Sequence, residues 1–537
     1  MAKNKNKRPF SSKIGSVLDG VVSVIAPGAG LKRKRSRIAG DILGKSKFKS
    51  YKGAEKGRMH GYWNPGSGSA DQDNLVDLED LRDRSRDMVR NDALASGIML
   101  TFTSNVVGTG IKPQSRYQNE DPEKQTKFQA QAELAWNKWV PFADAGARQD
   151  FYGLQNLVFQ QTLENGEPFA MISAIKDSKR PFSLALEIIE ADRIATPTDK
   201  TTANDVRMGI KIGKHGEPLG YWVRKTHPGD YNYNWRQRKS DNYDFIPAKQ
   251  PNGRPGMIHL YKKTRAGQTR GVPLLAPVLG LFKDMSEYIE AELVANLMAA
   301  CFGVFIKSEN ADGMAETNFD QTNGRGQREI YFEPGMVEYL NPGEEITSFM
   351  PQRPGAQFDS FIVRIIRQIG AAIGFPLELI AKDFSKTNYS SARAALLEAR
   401  RVFQQWQAWM SIYFNQPIWE MVLEEAFLKG ELDAPDFYEN FFEYTRARWV
   451  PPGWQWVDPL KEVKAAVEGL DNGIESLADI SASLGKNWEE TIEQKAREAV
   501  KIKELEEKFD IVIIKGDSAE TDEPQGDDED DNNESNK

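Results

Sequence analysis

The stretch IGFPLELIAKDFSKTNYSSARAALLEARR, Ile373–Arg401, decides how this chain is read. Gly374-Phe375-Pro376 breaks a helix, because glycine loosens the backbone and proline pushes its preceding residue out of the helical region. The polar loop Lys382–Ser391 comes next, with Phe384 and Tyr389 as the only large anchors after Asp383. Ser390 or Ser391 can cap a helix that starts near Ala392. The pattern predicts helix, loop, helix. Lys382 and Lys386 sit in the loop, and Arg393, Arg400 and Arg401 on the helix after it.

Upstream, Phe358–Ile373 reads as a helix carrying Arg364 and Arg367 at i, i+3. Residues 301–354 are mixed, with strand-like Phe302–Ile306, a Gly-rich loop at Asn310–Gln327, then Glu329–Phe332 and Met336–Leu340. Residues 273–300 form another helix, ~35–40 Å long at ~1.5 Å per residue. Pro273 and Pro277 suit its start. Val278, Leu281, Phe282, Met285, Ile289, Leu293 and Leu297 are its apolar set, and Asp284, Glu287 and Glu290 a separate acidic stripe. Two helices therefore flank a small α/β insertion.

Further upstream, helical spacing runs from Leu78 to the turn at Asn105–Gly110, then over Gln125–Val140 and Asp150–Glu164. Phe169–Ile175, Leu184–Glu190, Gly209–Ile212, Leu219–Val223 and Met257–Tyr261 read as strands of an antiparallel or mixed sheet, and Asp230–Asp244 as a loop. Residues 1–62 are Lys-, Gly- and Ser-rich, the composition of a disordered arm. A linker follows at Asn64–Asn74, and folding is expected near Leu75. Downstream, Ala392–Lys429 is one long helical region kinked near Pro417. Trp449–Asp458 is a Pro/Trp turn. Pro459–Glu507 is helical with breaks at Asn472-Gly473 and Gly485–Asn487. Seven of the twelve tryptophans follow residue 400, so the last third has large aromatic surface to bury.

At 537 residues the chain is too long for one core. Its net charge of −8 is uneven: residues 1–60 carry +13, residues 517–537 carry −9, and the middle −12. That excludes a uniformly basic nucleic-acid coat. The single cysteine, Cys301, excludes an internal disulfide framework and a Cys-rich zinc site, and fits a reduced compartment. No apolar run reaches the ~18–20 residues of a membrane span. Val17–Ala26 mimics a signal peptide, but Asp19 and Gly20 interrupt it and KRKRSR follows where cleavage would fall.

Catalytic signals are missing. GDILGKS, Gly40–Ser46, resembles a phosphate loop, but Ala39 stands where its first glycine belongs. Gly108-Thr-Gly110 lacks the third glycine of a dinucleotide loop, since Pro113 occupies that place. His60, His215, His227 and His259 are scattered without metal-ligand spacing. Asp527–Asp531 reads as a solvated acidic run. The reading is no catalytic residue, no metal and no cofactor. What remains are the cations Arg364, Arg367, Lys382, Lys386 and Arg393. They form either a solvated face with local ion pairs or sequence-independent phosphate contacts.

Several segments resemble the lambda-type portal proteins of tailed bacteriophages. They are DLRDRSRDMVRNDALASGIMLTFTSNVVGTGIKPQSR (Asp80–Arg116), MIHLYKKTRAGQTRGVPLLAPVL (Met257–Leu279), YLNPGEEI (Tyr339–Ile346) with Ile373–Arg401, and WVPPGWQWVDPLKEVKAAVEGLDNGI (Trp449–Ile474). They fall in the family's order and span residues 75–490; the basic arm and acidic tail lie outside them.

The resemblance implies a mainly helical α+β portal fold. Residues 1–74 would be a basic arm and linker, 75–270 the wing, 271–300 the ascending stem helix and 301–354 a small α/β clip. Residues 355–374 would be the descending stem helix, 375–391 the tunnel loop, 392–455 a long helix and wing return, 456–510 a helical crown, and 511–537 an acidic disordered tail. It also implies a homo-oligomeric ring, usually of twelve subunits, at one capsid vertex of the virion, assembled in the host cytoplasm, with no membrane. Double-stranded DNA passes through its tunnel, and the terminase ATPase docks on the clip. Capsid or scaffold protein and a head–tail connector are the other partners. Twelve helices ~9 Å apart leave a bore of roughly 25 Å, wide enough for a duplex. Lys382, Lys386, Arg393, Arg364 and Arg367 become expected DNA contacts. The stripe Asp284, Glu287 and Glu290 either faces the tunnel, repelling phosphate, or is an outward solvated face. The competing functions are another capsid or tail component, and a packaging enzyme.

Overall fold

The first helix starts earlier than its apolar pattern. In the computed structural model, Ser69 Oγ accepts from the Gln72 N–H at 3.2 Å and caps α1, Ala70–Asn91. The stretch expected to be linker is anchored: buried Asp71 Oδ1 accepts from the Thr269 N–H and hydroxyl at 2.8 and 2.9 Å. The structure describes residues 66–201, 203, 205–230, 239–300, 304–307, 337–340, 358–454 and 459–509. The basic arm, most of the α/β insertion and the acidic tail lie outside the described residues. Met1–Gly68 and Ser69–Lys537 are separate units, and the fold below is that of the second.

The helical run expected from Leu78 to Asn105 is two helices. Asp92 leaves helical geometry, and its Oδ1 accepts from the Ala95 N–H at 2.8 Å to cap α2, Ala93–Val106. A short side chain that bonds the backbone locally ends one helix and starts the next. β1 is Lys112–Ser115. α3, Pro122–Trp139, begins at a proline after the cap Asp121, and α4 is Phe151–Asn165.

β2 (Phe169–Ala174) lies between β3 (Leu184–Ile189) and, further along the chain, Met257–His259. A second antiparallel sheet orders β4 (Val206–Arg207), β5 (Ile210–Ile212), β6 (Pro218–Arg224) and β7 (Tyr243–Pro247). Part of the expected loop Asp230–Asp244 is therefore strand. Tyr243, Phe245 and Pro247 stand opposite Arg224, Trp222 and Gly220. The remaining strand of the first sheet, Met257–His259, is β8.

α5 is Leu279–Ala300. β9 (Val304–Lys307) and β10 (Val337–Leu340) pair in parallel. α6 is Phe358–Ile373, α7 Leu377–Ala381 and α8 Tyr389–Met410. A π turn, Ser411–Asn415, joins α8 to α9, Gln416–Leu428. Pro417 has no N–H to offer the preceding turn, and the widened turn absorbs that loss.

α10 is Phe441–Tyr444. β11, Ala447–Val450, pairs with β1, with Lys112 opposite Val450, so the chain returns to its beginning. The turn expected over Trp449–Asp458 thus begins as a strand whose partner lies some 330 residues upstream. The last helices are α11 (Pro459–Asp471), α12 (Leu477–Ser483) and α13 (Trp488–Phe509).

The late tryptophans help to build the core. Trp136 meets Trp139, Phe151 and Trp419 at 5.0, 4.9 and 5.5 Å between ring centroids, joining α3, α4 and α9.

Candidate functional site: two helices and a basic loop

α6 is two-faced. Ile366, Ile369, Gly370 and Ile373 are buried, while Arg364 and Arg367 are exposed. Gly374, at φ +81°, ends the helix, and the Phe375 N–H turns back to the Gly370 carbonyl at 2.9 Å. Gly370 must be glycine, because a Cβ there would collide with the Phe375 carbonyl. Phe375 is then wedged between Phe102 and Phe403, at 4.2 and 5.3 Å. Everything up to Ile380 is thus tied to the core.

Beyond it the chain leaves the core. Lys382 ends α7 in left-handed geometry, and residues 381–386 are all exposed. The bonds within the loop are local. Asp383 Oδ1 accepts from the Ser385 N–H at 2.9 Å, and the Phe384 carbonyl accepts from the Thr387 N–H and hydroxyl at 3.2 and 2.9 Å. Phe384 and Tyr389, the expected anchors, are exposed. The cap is neither Ser390 nor Ser391: Asn388 Oδ1 accepts from the Ser391 N–H at 2.8 Å, so α8 starts at Tyr389 rather than Ala392. Asn388 is the first residue after the turn able to reach that donor.

The expected cations divide. Among the described residues, Arg364, Arg367 and Lys382 have no ion-pair partner. Lys386 lies 3.4 Å from Asp359 at the start of α6, with both side chains about four-fifths exposed, an arrangement that holds little free energy. Arg393 points elsewhere, pairing at 3.5 Å with Glu462 of α11. Arg400 lies over the Trp454 ring at 5.6 Å, and Arg401 pairs with Glu398 at 3.2 Å.

On α5, Val278 just before the helix, Phe282 and Met285 are buried, but Ile289, Leu293, Val294 and Leu297 are 43–59% exposed. Asp284, Glu287 and Glu290 are exposed, Glu287 and Glu290 alongside Val294, with Lys283 3.5 Å from Glu287. Tyr288 meets Phe358 and Phe361 of α6 at 5.6 and 5.3 Å.

A second charged cluster, in the helix-and-strand body, was not expected. Glu167 is completely buried. Its Oε1 accepts from Arg82 and, at 2.5 Å, from Arg270 Nε; its Oε2 pairs with His259 Nε2 at 2.7 Å and accepts from the Gly271 N–H at 2.9 Å. Arg86 extends the knot to Asn165 Oδ1, at 2.7 Å, and to Asp192. Burial alone would raise the Glu167 carboxyl; Arg270, Arg82 and the His259 bond outweigh it and hold the group far below the usual range. Burial lowers the His259 imidazole against the opposing pull of Glu167. Arg82, His259 and Arg270 all fall inside the segments that resemble portal proteins, but no spacing along the chain joins them to Glu167.

Beside this knot, Glu190, Asp192 and His227 could in principle hold a metal. The hydrogen bonding disfavours it. The Gly229 N–H donates to His227 Nδ1 at 3.0 Å, so the ring proton sits on Nε2, which lies 3.1 Å from a Glu190 carboxylate oxygen without a hydrogen bond to it. A ligating nitrogen must be bare, with the opposite nitrogen donating. Asp192 is moreover taken by Arg86. Both clusters act as clamps between helices and sheets.

Residues 56–407 match the family model for phage portal proteins of the lambda family. The chain belongs to the lambda family of phage portal proteins. Its fold is a mainly helical α+β portal fold, its function is that of a phage portal, and portal proteins are virion components at a capsid vertex. The portal protein of Escherichia phage N15 is 25% identical over 502 residues, covering 85% of this chain and 92% of that one. The probable portal protein of Halomonas phage phiHAP-1 is 25% identical over 466 residues, with 85% and 87% covered. Portal protein B of Escherichia phage lambda is 24% identical over 469 residues, with 82% and 86% covered. Among solved structures, a chain from the virion of a native gene transfer agent particle aligns at 13% identity and TM-score 0.37, covering 76% of this chain and 93% of that one. A chain from the neck of the empty particle aligns at 14% and 0.38, covering 80% and 97%. Membership in the portal family replaces the capsid-or-tail reading of the sequence, and that family is a structural one.

Proposed function

We propose that this portal protein forms a closed ring of about twelve copies, the symmetry implied by the family resemblance, through which double-stranded DNA is packaged and ejected. The observation that carries the ring is the face of α5. Ile289, Leu293 and Leu297 recur every four residues, continuing the stripe that Phe282 and Met285 bury, and all three are exposed in the single chain. Phe361 of α6, against Tyr288 of α5, is half exposed as well. Fully burying each such side chain stabilises by about 1.5–3 kcal/mol, so a neighbouring copy seated on this face gains a repeated apolar contact.

In that ring α5 and α6 are the stem, and the loop Lys382–Asn388 projects into the bore. Lys382 and Lys386, with Arg364 and Arg367 above them, grip phosphates without reading sequence. Asp284, Glu287 and Glu290 face the moving duplex and limit sticking. The segment 301–354 is the clip on which the terminase docks. Capsid or scaffold protein and the head–tail connector bind the remaining outer surface, and assembly takes place in the host cytoplasm. The protein contributes a channel and docking surfaces, not catalysis.

The test is assembly. Native mass spectrometry of the wild-type chain is expected to show a closed homo-oligomer, and Leu293→Asp is expected to abolish it while leaving the far-UV circular dichroism of the folded chain unchanged. Wild-type monomer across all salt concentrations, or unchanged rings in L293D, overturns the reading.

A further inference from the structure

The last three helices are attached unlike the rest of the molecule. From residue 459 to 508 the only buried side chain among the described residues is Ser481. These helices meet the body at a backbone contact: a Cβ on Gly453 would collide with Leu484 and Gly485, and Gly485 itself stands at φ +72°. Two clefts open beside that contact. One, of about 940 Å³, separates α13 from α3 and β1, with Glu133 and Trp136 on the body side and Glu490 and Arg497 opposite. The other, of about 420 Å³, lies between α12 and the π turn, bounded by Ile412 and Trp454 on the body and by Ala482 and Ser483. Polar links also reach across, among them Arg448 to Asp479 at 2.9 Å and Arg393 to Glu462 at 3.5 Å.

A body joined by one tight pivot, with open space beside it, can tilt by filling one cleft and widening the other. Arg393 makes that tilt consequential. It lies one turn inside α8, whose first residue, Tyr389, directly follows the basic loop. The loop has no core anchor of its own, so its position follows the end of α8.

We propose that α11–α13 form a rocker that pivots at Gly453–Gly485, and that the Arg393–Glu462 pair transmits its tilt to the loop Lys382–Asn388. The linkage stands on geometry alone; its consequence for DNA, a grip that changes with the position of these helices, rests on the channel reading above. Arg393 is then a coupling residue, not a phosphate contact.

Hydrogen exchange on the full-length assembled protein tests the linkage without DNA, so its failure is distinct from failure of the channel reading. Glu462→Gln is expected to raise exchange in both 459–471 and 382–392, by about threefold or more in the loop. Gly453→Ala forces the pivot apart at a distance from α8 and leaves Glu462 in place. Loop exchange that changes together with 459–509 in this variant supports the rocker. Faster exchange confined to 459–509 overturns it, as does no change in either region. Should Gly453→Ala not fold, Asp479→Lys, which repels Arg448, displaces the same helices and is read in the same way.

Discussion

The buried knot around Glu167 and the exposed loop around Lys382 hold the same kinds of side chain to opposite ends. In the knot, each charged group meets an opposite charge or a backbone carbonyl, and Glu167, Arg82, Arg270 and His259 are almost inaccessible. In the loop, Lys382 has no ion-pair partner among the described residues and Lys386 has a solvent-exposed one. Charge taken out of water is tolerated only when fully paired, so the knot has no capacity left for a ligand. Charge left in water costs little to hold and keeps its donors free for one. A cluster of arginine, glutamate and histidine that looks like an active site is here a fastening, whereas the plain polar loop leaves its cations open to solvent.

The largest effect that can break this contrast comes from Glu167→Gln. It strands Arg82 and Arg270 in the interior, and we expect a loss of about 3–5 kcal/mol in denaturant unfolding. A loss below about 1 kcal/mol would mean that the knot is not a clamp.

Acid should act next. His259 is lowered, so between about pH 6.5 and its folded value the unfolded chain binds a proton that the folded chain does not, and stability falls as pH drops. Glu167 is depressed, so its contribution is complete above about pH 4.3 and is lost as pH falls towards its folded value. Both signs agree: unfolding should become easier below about pH 6.5 and steeper below about pH 4.3. His259→Gln should remove the upper part of the decline and leave the lower. A flat profile from about pH 7 to 5 contradicts the His259 assignment, and one that stays flat from about pH 4.3 down to 2 contradicts that of Glu167.

The smallest effect on stability is expected where the functional effect is greatest. Lys382→Ala with Lys386→Ala should shift the melting temperature within experimental scatter, since the single ion pair lost is exposed. The rings should assemble normally yet package or retain DNA poorly. Failed assembly would show that these lysines hold subunits together, and normal packaging would remove them from the DNA path.

Much of the architecture was legible because local chemistry decides it. The helix Phe358–Ile373, its end at Gly374-Phe-Pro376, and the breaks at Asn472-Gly473 and Gly485–Asn487 follow from period and breakers alone. The misreadings have separate causes. β7 and β11 were read as loop and turn because each has four or five residues and is stabilised by a distant strand. Asp92 was missed because helical spacing continues through it, and Asn388 because Ser390 and Ser391 offered equally good caps. The candidate site was legible as a list of cations, but Arg393 gave no sign that its partner would be Glu462, 69 positions on.

By itself, then, the sequence determined most of the helices and the polar loop between two of them, which rest on neighbours within a turn or two, and the resemblance to a family. Only the tertiary structure decided which charges are fastenings and which are free. Arg82 meets Glu167 across 85 positions and Arg270 meets it across 103. The fate of a charge depends on what folding brings beside it and on whether water remains, and neither is written in the residues next to it.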